Sequence, residues 1–316
     1  MNDLRYSFSC IDFLNYNEKY KLYIETNNIY DIFSMSKNEL TQLSLKTGIL
    51  TDKLLKIKEF KIQTYNYNKY KNVELIDIYS NKYPYLLKQT FGAPIVLYCI
   101  GNIPQKQMIS IVGSRNPSIY GKRNAYILSD NLSLQGYCIT SGMAKGIDGI
   151  GHMAAIKNEV SLAVLGNGID ICYPECNRFI YDNLLNNGCI ISEYPPGTKP
   201  QKRFFPQRNR IISGLSFCTI IIEASEKSGS LITANLALSQ NREVYCLPNL
   251  IDSGYNGTNC LIKDGAGIIT DIGQFCQELK AIEISWKNLY DCKSSLGGNY
   301  DKEPGNSGIT RESQHN

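Results

Sequence analysis

From residue 109 onward the chain alternates short apolar runs with stretches of helical length. The runs fall at 109–112, 137–140, 162–165, 189–192, 218–223, 243–247 and 267–270. They are largely continuous rather than alternately polar, the pattern of strands buried on both faces, so they predict a parallel sheet covered by helices on each side. Helices are expected over Tyr120–Leu134, Ile147–Lys157 and Leu231–Gln240. Strand-helix alternation of this kind predicts an α/β, doubly wound, mostly parallel sheet of about 165 residues. An earlier apolar run, Pro94–Ile100, lies between turn residues and is expected to be a strand packed on that sheet. Residues 1–75 place Leu, Ile, Tyr, Lys and Asn at helical spacing with Gly48 as their one glycine. Ser36 followed by Glu39 has the spacing of a capping box. A small N-terminal helical domain over 1–75, a sheet domain over 76–280 and a polar, disordered tail over 281–316 are the expected divisions.

Composition narrows the classes only a little. The 316 residues are 43% hydrophobic and 20% charged, as in ordinary globular domains, and the net charge of +4 permits a polyanionic partner without arguing for one. Arginine placement says more: seven of nine arginines (115, 123, 178, 203, 208, 210 and 242) fall in the central region, where a rigid, bidentate, stackable cation suits phosphates and bases. No run reaches the roughly 18 apolar residues of a membrane span, and the N-terminus has no apolar core after a basic start. Several of the eleven cysteines lie in or beside the apolar runs, where reduced thiols act as small core residues, so a cytoplasmic chain is expected. Cys172 and Cys176 have no second pair, and the chain holds only His152 and His315, so no zinc site is expected.

In open α/β sheets, ligands bind beyond the carboxyl ends of the strands, where helix N-termini present free N–H groups. The informative residues follow the predicted strands: Gly113-Ser114-Arg115 after the first, Ser141 to Asp148 with Lys145 after the second, Gly166-Asn-Gly168 after the third, and Ser228-Gly229-Ser230 before a helix after the fifth. Between the fourth and fifth lies Lys202-Arg203-Phe204-Phe205-Pro-Gln-Arg208-Asn209-Arg210, cations interleaved with aromatic rings and without an acid. That combination suits a polyanion with flat faces to stack, and single-stranded nucleic acid fits it. Enzyme signatures are missing: there is no P-loop, no G-x-G-x-x-G and no G-x-S-x-G elbow. Asp148 and His152 are four residues apart; an acid-base pair is conceivable, and a contact that fixes their helix is favoured. Glu223, ending a buried strand, could act as a base, hold a ribose hydroxyl or cap a neighbouring backbone. No catalytic set, cofactor or metal is expected.

Together these stretches resemble the DNA-processing protein A (DprA/Smf) family. The resemblance runs through Ile111–Arg115, Ser141–Asp148 with His152, Val164–Asp170, Tyr173-Pro174, Ser192–Gly197, Phe205–Ile212, Glu223-Ala224, Ser228–Thr233 and Leu261-Ile262 to Gly265-Ala266. With Tyr83-Pro84, Leu86-Leu87, Pro94, Leu97-Tyr98 and Gly101-Asn102 it covers about residues 75–275. It implies an extended Rossmann-like domain in a non-enzymatic, cytosolic homodimer. Such a protein binds and protects incoming single-stranded DNA in natural transformation, promotes annealing and helps load the RecA recombinase; single-strand-binding protein is a further candidate partner. The family's DNA pocket maps onto Gly113, Ser114, Arg115, Lys202, Phe205, Arg208 and Arg210. Arg115, Lys202 and Arg208 would then clamp phosphates, Phe205 would stack on a base, and the Gly113 loop would admit the backbone. Lys145, Arg203, Asn209, Ser228, Gly229 and Ser230 complete the expected interface, and dimerisation falls on 247–269. Many relatives end in a winged helix, for which the residues after Lys280 are too few and too polar; the N-terminal part takes the place of their SAM-like or helix-hairpin-helix domain without its Gly-containing hairpins. The alternative is a phosphoribohydrolase-like nucleotide enzyme or sensor on the same edge, although its G-G-x-G-T-x-x-E pattern is absent.

Overall fold

The computed structural model describes residues 3–295. Four short helices come first: α1 (Leu4–Ser9), α2 (Tyr16–Glu25), α3 (Lys37–Thr47) and α4 (Thr51–Leu55). The expected capping box forms at α3, where Ser36 and Glu39 each bond the other's backbone N–H, and α2 carries a second one from Asn15 and Glu18. Then follow β1 (Glu74–Asp77), α5 (Tyr85–Lys88), β2 (Val96–Gly101), β3 (Met108–Val112), α6 (Ile119–Leu134), β4 (Cys138–Ser141), α7 (Ile147–Ile156) and β5 (Ser161–Leu165). The remainder is α8 (Arg178–Asn187), β6 (Cys189–Ser192), α9 (Phe204–Leu215), β7 (Cys218–Ile221), α10 (Gly229–Ser239), β8 (Glu243–Cys246), α11 (Gly257–Lys263), β9 (Gly267–Ile268) and α12 (Ile272–Ser295).

One nine-stranded sheet has the order β1-β2-β6-β5-β4-β3-β7-β8-β9. The seven strands from β6 to β9 in that order are parallel, and β2 and β1 continue the β6 edge antiparallel. The chain starts the parallel part at β3, winds outward to β6, then returns to lay β7 on β3's other side. That return creates the switch point at which ligands bind in such sheets. Alternate residues of one strand feed two separate cores: Ile109 and Ile111 of β3 belong to the core with α6, α7 and α12, while Met108 and Val112 belong to the other.

The sequence reading needs correction at both ends. A boundary at 75 cuts through β1, and the N-terminal helices share the larger core, with Phe8, Leu22 and Leu40 in the same buried cluster as Leu87 and Tyr98. The tail expected to be disordered from 281 is helical to 295, because α12 docks Phe275, Cys276 and Leu279 into the second core and carries the chain on. The rest of that expectation, 296–316, lies outside the described residues.

Candidate nucleic-acid interface

Parallel strands end on a common edge, so the loops after β3, β4, β5 and β7 gather there. They are tied to one another by backbone. Ser114 N–H donates to the Glu223 carbonyl at 2.7 Å, and Ile147 N–H donates to the Ser114 carbonyl at 3.1 Å. The Asp148 carboxylate accepts from the Gly142 and Ala144 N–H groups at 3.1 and 3.4 Å. Asn177 donates from Nδ2 to the Met143 and Ala144 carbonyls at 3.0 and 2.9 Å. The loop bearing exposed Lys145 is therefore fixed from both sides before any ligand arrives.

Helix α9 brings the basic-aromatic run to this edge. Ser110 on β3 donates to the Ile212 carbonyl at 2.8 Å, anchoring α9 across the sheet with its N-terminus at the rim. Phe205 lies against Gly166, where an added Cβ would stand 2.8 Å from its ring, so glycine is required for that approach. Tyr173 stacks on Phe205 with centroids 5.5 Å apart, and the Arg115 guanidinium lies 5.9 Å from the Phe205 centroid. A second pair repeats the arrangement: Tyr194 stacks on Phe204 at 4.2 Å, with Arg203 5.1 Å from the Phe204 centroid. Arg115, Lys145, Lys202 and Arg203 are exposed. The rim thus carries four solvent-facing cations beside two aromatic stacks, a pattern that offers phosphate contacts and flat faces together.

Other expected site residues are placed differently. Residues from Phe204 form a helix, and a helix turns successive side chains away from the rim. Arg208 and Arg210 are each 3% exposed. Arg208 Nη1 donates to the Gly142 carbonyl at 2.7 Å and to the Val164 carbonyl, so this arginine ties the loop after β4 to the end of β5 from behind rather than clamping phosphate. Arg210 pairs with Glu193 at 2.5 Å, donates to the Gly92 carbonyl at 2.8 Å and sits 4.2 Å from the Tyr16 ring centroid, joining α9 to α2. Space beside Gly113 is filled by the protein itself: a Cβ there would stand 2.7 Å from Ile147, so this glycine serves packing rather than approach of a ligand backbone. Ser228 caps α10 by accepting from Ser230 N–H at 3.3 Å, and its hydroxyl contacts that of Ser230. Asn209 Nδ2 reaches the exposed Gly229 carbonyl at 3.4 Å, linking this loop to α9.

The two carboxylates weighed as acid-base candidates are structural in their contacts. Asp148 holds the 142–144 backbone, and His152 instead shares a hydrogen bond with Ser161 at 2.7 Å, so each has other partners in place of the expected contact. Glu223 is fully buried and accepts from both Ser118 N–H, at 2.9 Å, and the Ser118 hydroxyl, which fixes Ser118 as the N-cap residue of α6. With both oxygens engaged, it does not present the open base that a phosphoribohydrolase would need. Neither composition nor spacing marks Tyr173 as a stacking partner or Asn177 as a loop anchor; Tyr173 precedes Pro174 in the sequence with no charged or periodic pattern around it that signals a ring contact.

Burial, with the Arg208 charge adding to it, holds the His152 pKa down at about 3 from an ordinary 6.5. The unfolded chain therefore takes up a proton on this residue at a pH where the folded chain does not, so its contribution is intact above 6.5 and is lost as pH falls toward 3. His152→Asn, which keeps a hydrogen-bonding atom near Nδ1, is expected to flatten the acid side of the stability profile measured by urea unfolding. An acid slope identical to wild type would contradict this assignment.

Comparison with known proteins places the chain. The sequence model of the DNA recombination-mediator protein A family matches residues 74–280. DNA processing protein DprA of Bacillus subtilis is 41% identical over 219 residues, covering 68% of this chain and 74% of that protein. Protein Smf of Escherichia coli is 41% identical over 214 residues, covering 66% of this chain but only 57% of its own length. Among solved structures, DNA processing protein A from Streptococcus pneumoniae superposes with a TM-score of 0.68 at 31% identity, over 84% of this chain and 98% of that one. The Helicobacter pylori protein, whose structure describes its single-stranded DNA binding mode, superposes with a TM-score of 0.62 at 30% identity, over 66% of this chain and 96% of that one. With its Rossmann-like sheet and the family's motifs gathered on one edge of it, the chain belongs to the DNA recombination-mediator protein A family, the DprA/Smf proteins.

Proposed function

We propose that this chain is a sequence-independent single-stranded DNA-binding protein that shields incoming DNA and helps load the RecA recombinase in natural transformation and recombination. The observation that carries the reading is the rim itself, with four exposed cations beside the Tyr173–Phe205 and Tyr194–Phe204 stacks and buried carboxylates already engaged. Such a surface meets phosphates and bases without base-edge readout, so affinity is expected to be indifferent to sequence and strongly dependent on salt. Each phosphate contact to a single strand contributes about −0.7 to the log–log slope, so four contacts give about −3. Fluorescence anisotropy with oligo-dT across a salt series measures this; a slope near zero would remove the electrostatic basis of the proposal.

The protein is proposed to work as a homodimer through residues 247–269. Leu250 and Ile251 are each 80% exposed there, and the same stretch contains β9, which forms one edge of the sheet. Exposed aliphatic side chains and a free strand edge each favour association with a second copy. Leu250→Glu with Ile251→Glu is expected to shift sedimentation from dimer to monomer; wild type that sediments only as monomer would end this part. Among the described residues no helix is long and apolar enough to cross a membrane.

A further inference from the structure

A groove of about 550 Å³ opens from the rim on the side formed by α6, α7 and α8. Arg115 and Gly146 stand at its rim end, and Lys122, Tyr126 and Met153 line it further along. Its volume is in the range that holds a small organic group. Two of its lining side chains are cationic and none is acidic. Tyr126 and Met153, on neighbouring helices, are 40% and 41% exposed, which leaves flat and polarisable apolar surface facing solvent between charges. Tyr126 is held in place: the Lys157 ammonium lies 5.3 Å from its ring centroid and is itself paired with Asp130 at 2.8 Å.

We propose that this groove is a second single-strand subsite that receives the strand as it leaves the rim. A base rests against Tyr126 and Met153 while flanking phosphates meet Arg115 and Lys122. The inference rests on the rim being the primary strand site. Continuity supports one occupant for both, because Arg115 takes part in the Phe205 arrangement and also lines the groove. An aromatic side chain between cations is the arrangement that binds unpaired strands irrespective of sequence, through the π-face every base possesses. None of the residues that line only the groove holds the rim loops through a side chain except Asn177, so Lys122 and Tyr126 can be changed without disturbing the first site.

The test is anisotropy of the full chain with oligo-dT of about 4 and about 16 nucleotides, which bracket known single-strand site sizes. Tyr126→Ala is expected to weaken binding of the longer strand by about tenfold and leave the shorter unchanged, while Tyr126→Phe binds both as wild type does. Lys122→Gln is expected to weaken only the longer strand and to reduce its salt slope by about 0.7. Lys202→Ala, a rim variant, should weaken both lengths. If Tyr126→Ala and Lys122→Gln bind the longer strand like wild type while Lys202→Ala fails on both, the groove is overturned and the rim stands. If Lys202→Ala is also silent, the rim reading falls and the groove with it. A Tyr126→Ala loss that is equal at both lengths overturns the second subsite, as does a variant that keeps strand affinity but fails to stimulate a recombinase, which would give the groove to a protein.

Discussion

Arg208→Leu is expected to lower folding stability by about 3–5 kcal/mol, more than any rim substitution, because it strands buried groups that the guanidinium serves. Burial pulls the Arg208 pKa down to about 10, with Asp148 opposing that pull. Asp148 is itself buried, and burial raises its pKa while the Arg208 charge and the Gly142 and Ala144 N–H groups work the other way. Removing the cation leaves that carboxylate with neutral donors only and frees the Gly142 and Val164 carbonyls. The sign of the pH dependence follows. In the variant the folded Asp148 binds its proton more tightly, so the penalty is full at neutral pH and shrinks as acid protonates it. His152, released from the same charge, also resists protonation less, which narrows the gap further. Urea unfolding at about pH 7 and about pH 5 should therefore show a smaller deficit in acid. A deficit below about 1 kcal/mol at neutral pH would mean that the brace is not under load.

Phe205→Leu should cost about 1–3 kcal/mol of single-strand affinity while leaving folding nearly intact. Leucine keeps apolar volume against Gly166 but has no flat face for a base, and it removes the platform on which Tyr173 and Arg115 are arranged. Phe205→Tyr retains the ring and should bind as wild type does. Affinity is read by anisotropy with oligo-dT, alongside the unfolding midpoint of each variant. A leucine variant that binds normally would take Phe205 out of the interface.

Much of the parallel sheet was legible because its strands are buried on both faces, which leaves near-continuous apolar runs such as Ser161–Leu165 and Cys189–Ser192. β1 was missed because four residues with exposed or half-buried ends carry little pattern. The rim loops were legible through their spacing after strands, and Arg115, Lys145, Lys202, Arg203 and Phe205 do meet on one edge. The sequence misled at Arg208 and Arg210, where composition records charge but not burial. A signal was present: Arg208 falls on the stripe formed by Ile211, Ile212 and Leu215 at helical spacing, so its helix turns it toward the sheet. Asp148 and Glu223 illustrate the converse. Their carboxylates look chemical in sequence, yet each satisfies backbone donors that the tight loops of the edge would otherwise leave unpaired.

The most direct measurement compares oligo-dT with duplex DNA at two salt concentrations, for wild type and for the Arg115→Ala/Lys202→Ala double variant. Wild type should prefer the single strand and lose affinity as salt rises; the double variant should bind weakly at both salts, with a slope smaller by about 1.4. A double variant that binds oligo-dT like wild type, with an unchanged slope, would contradict the claim that this edge is a cradle for unpaired strands.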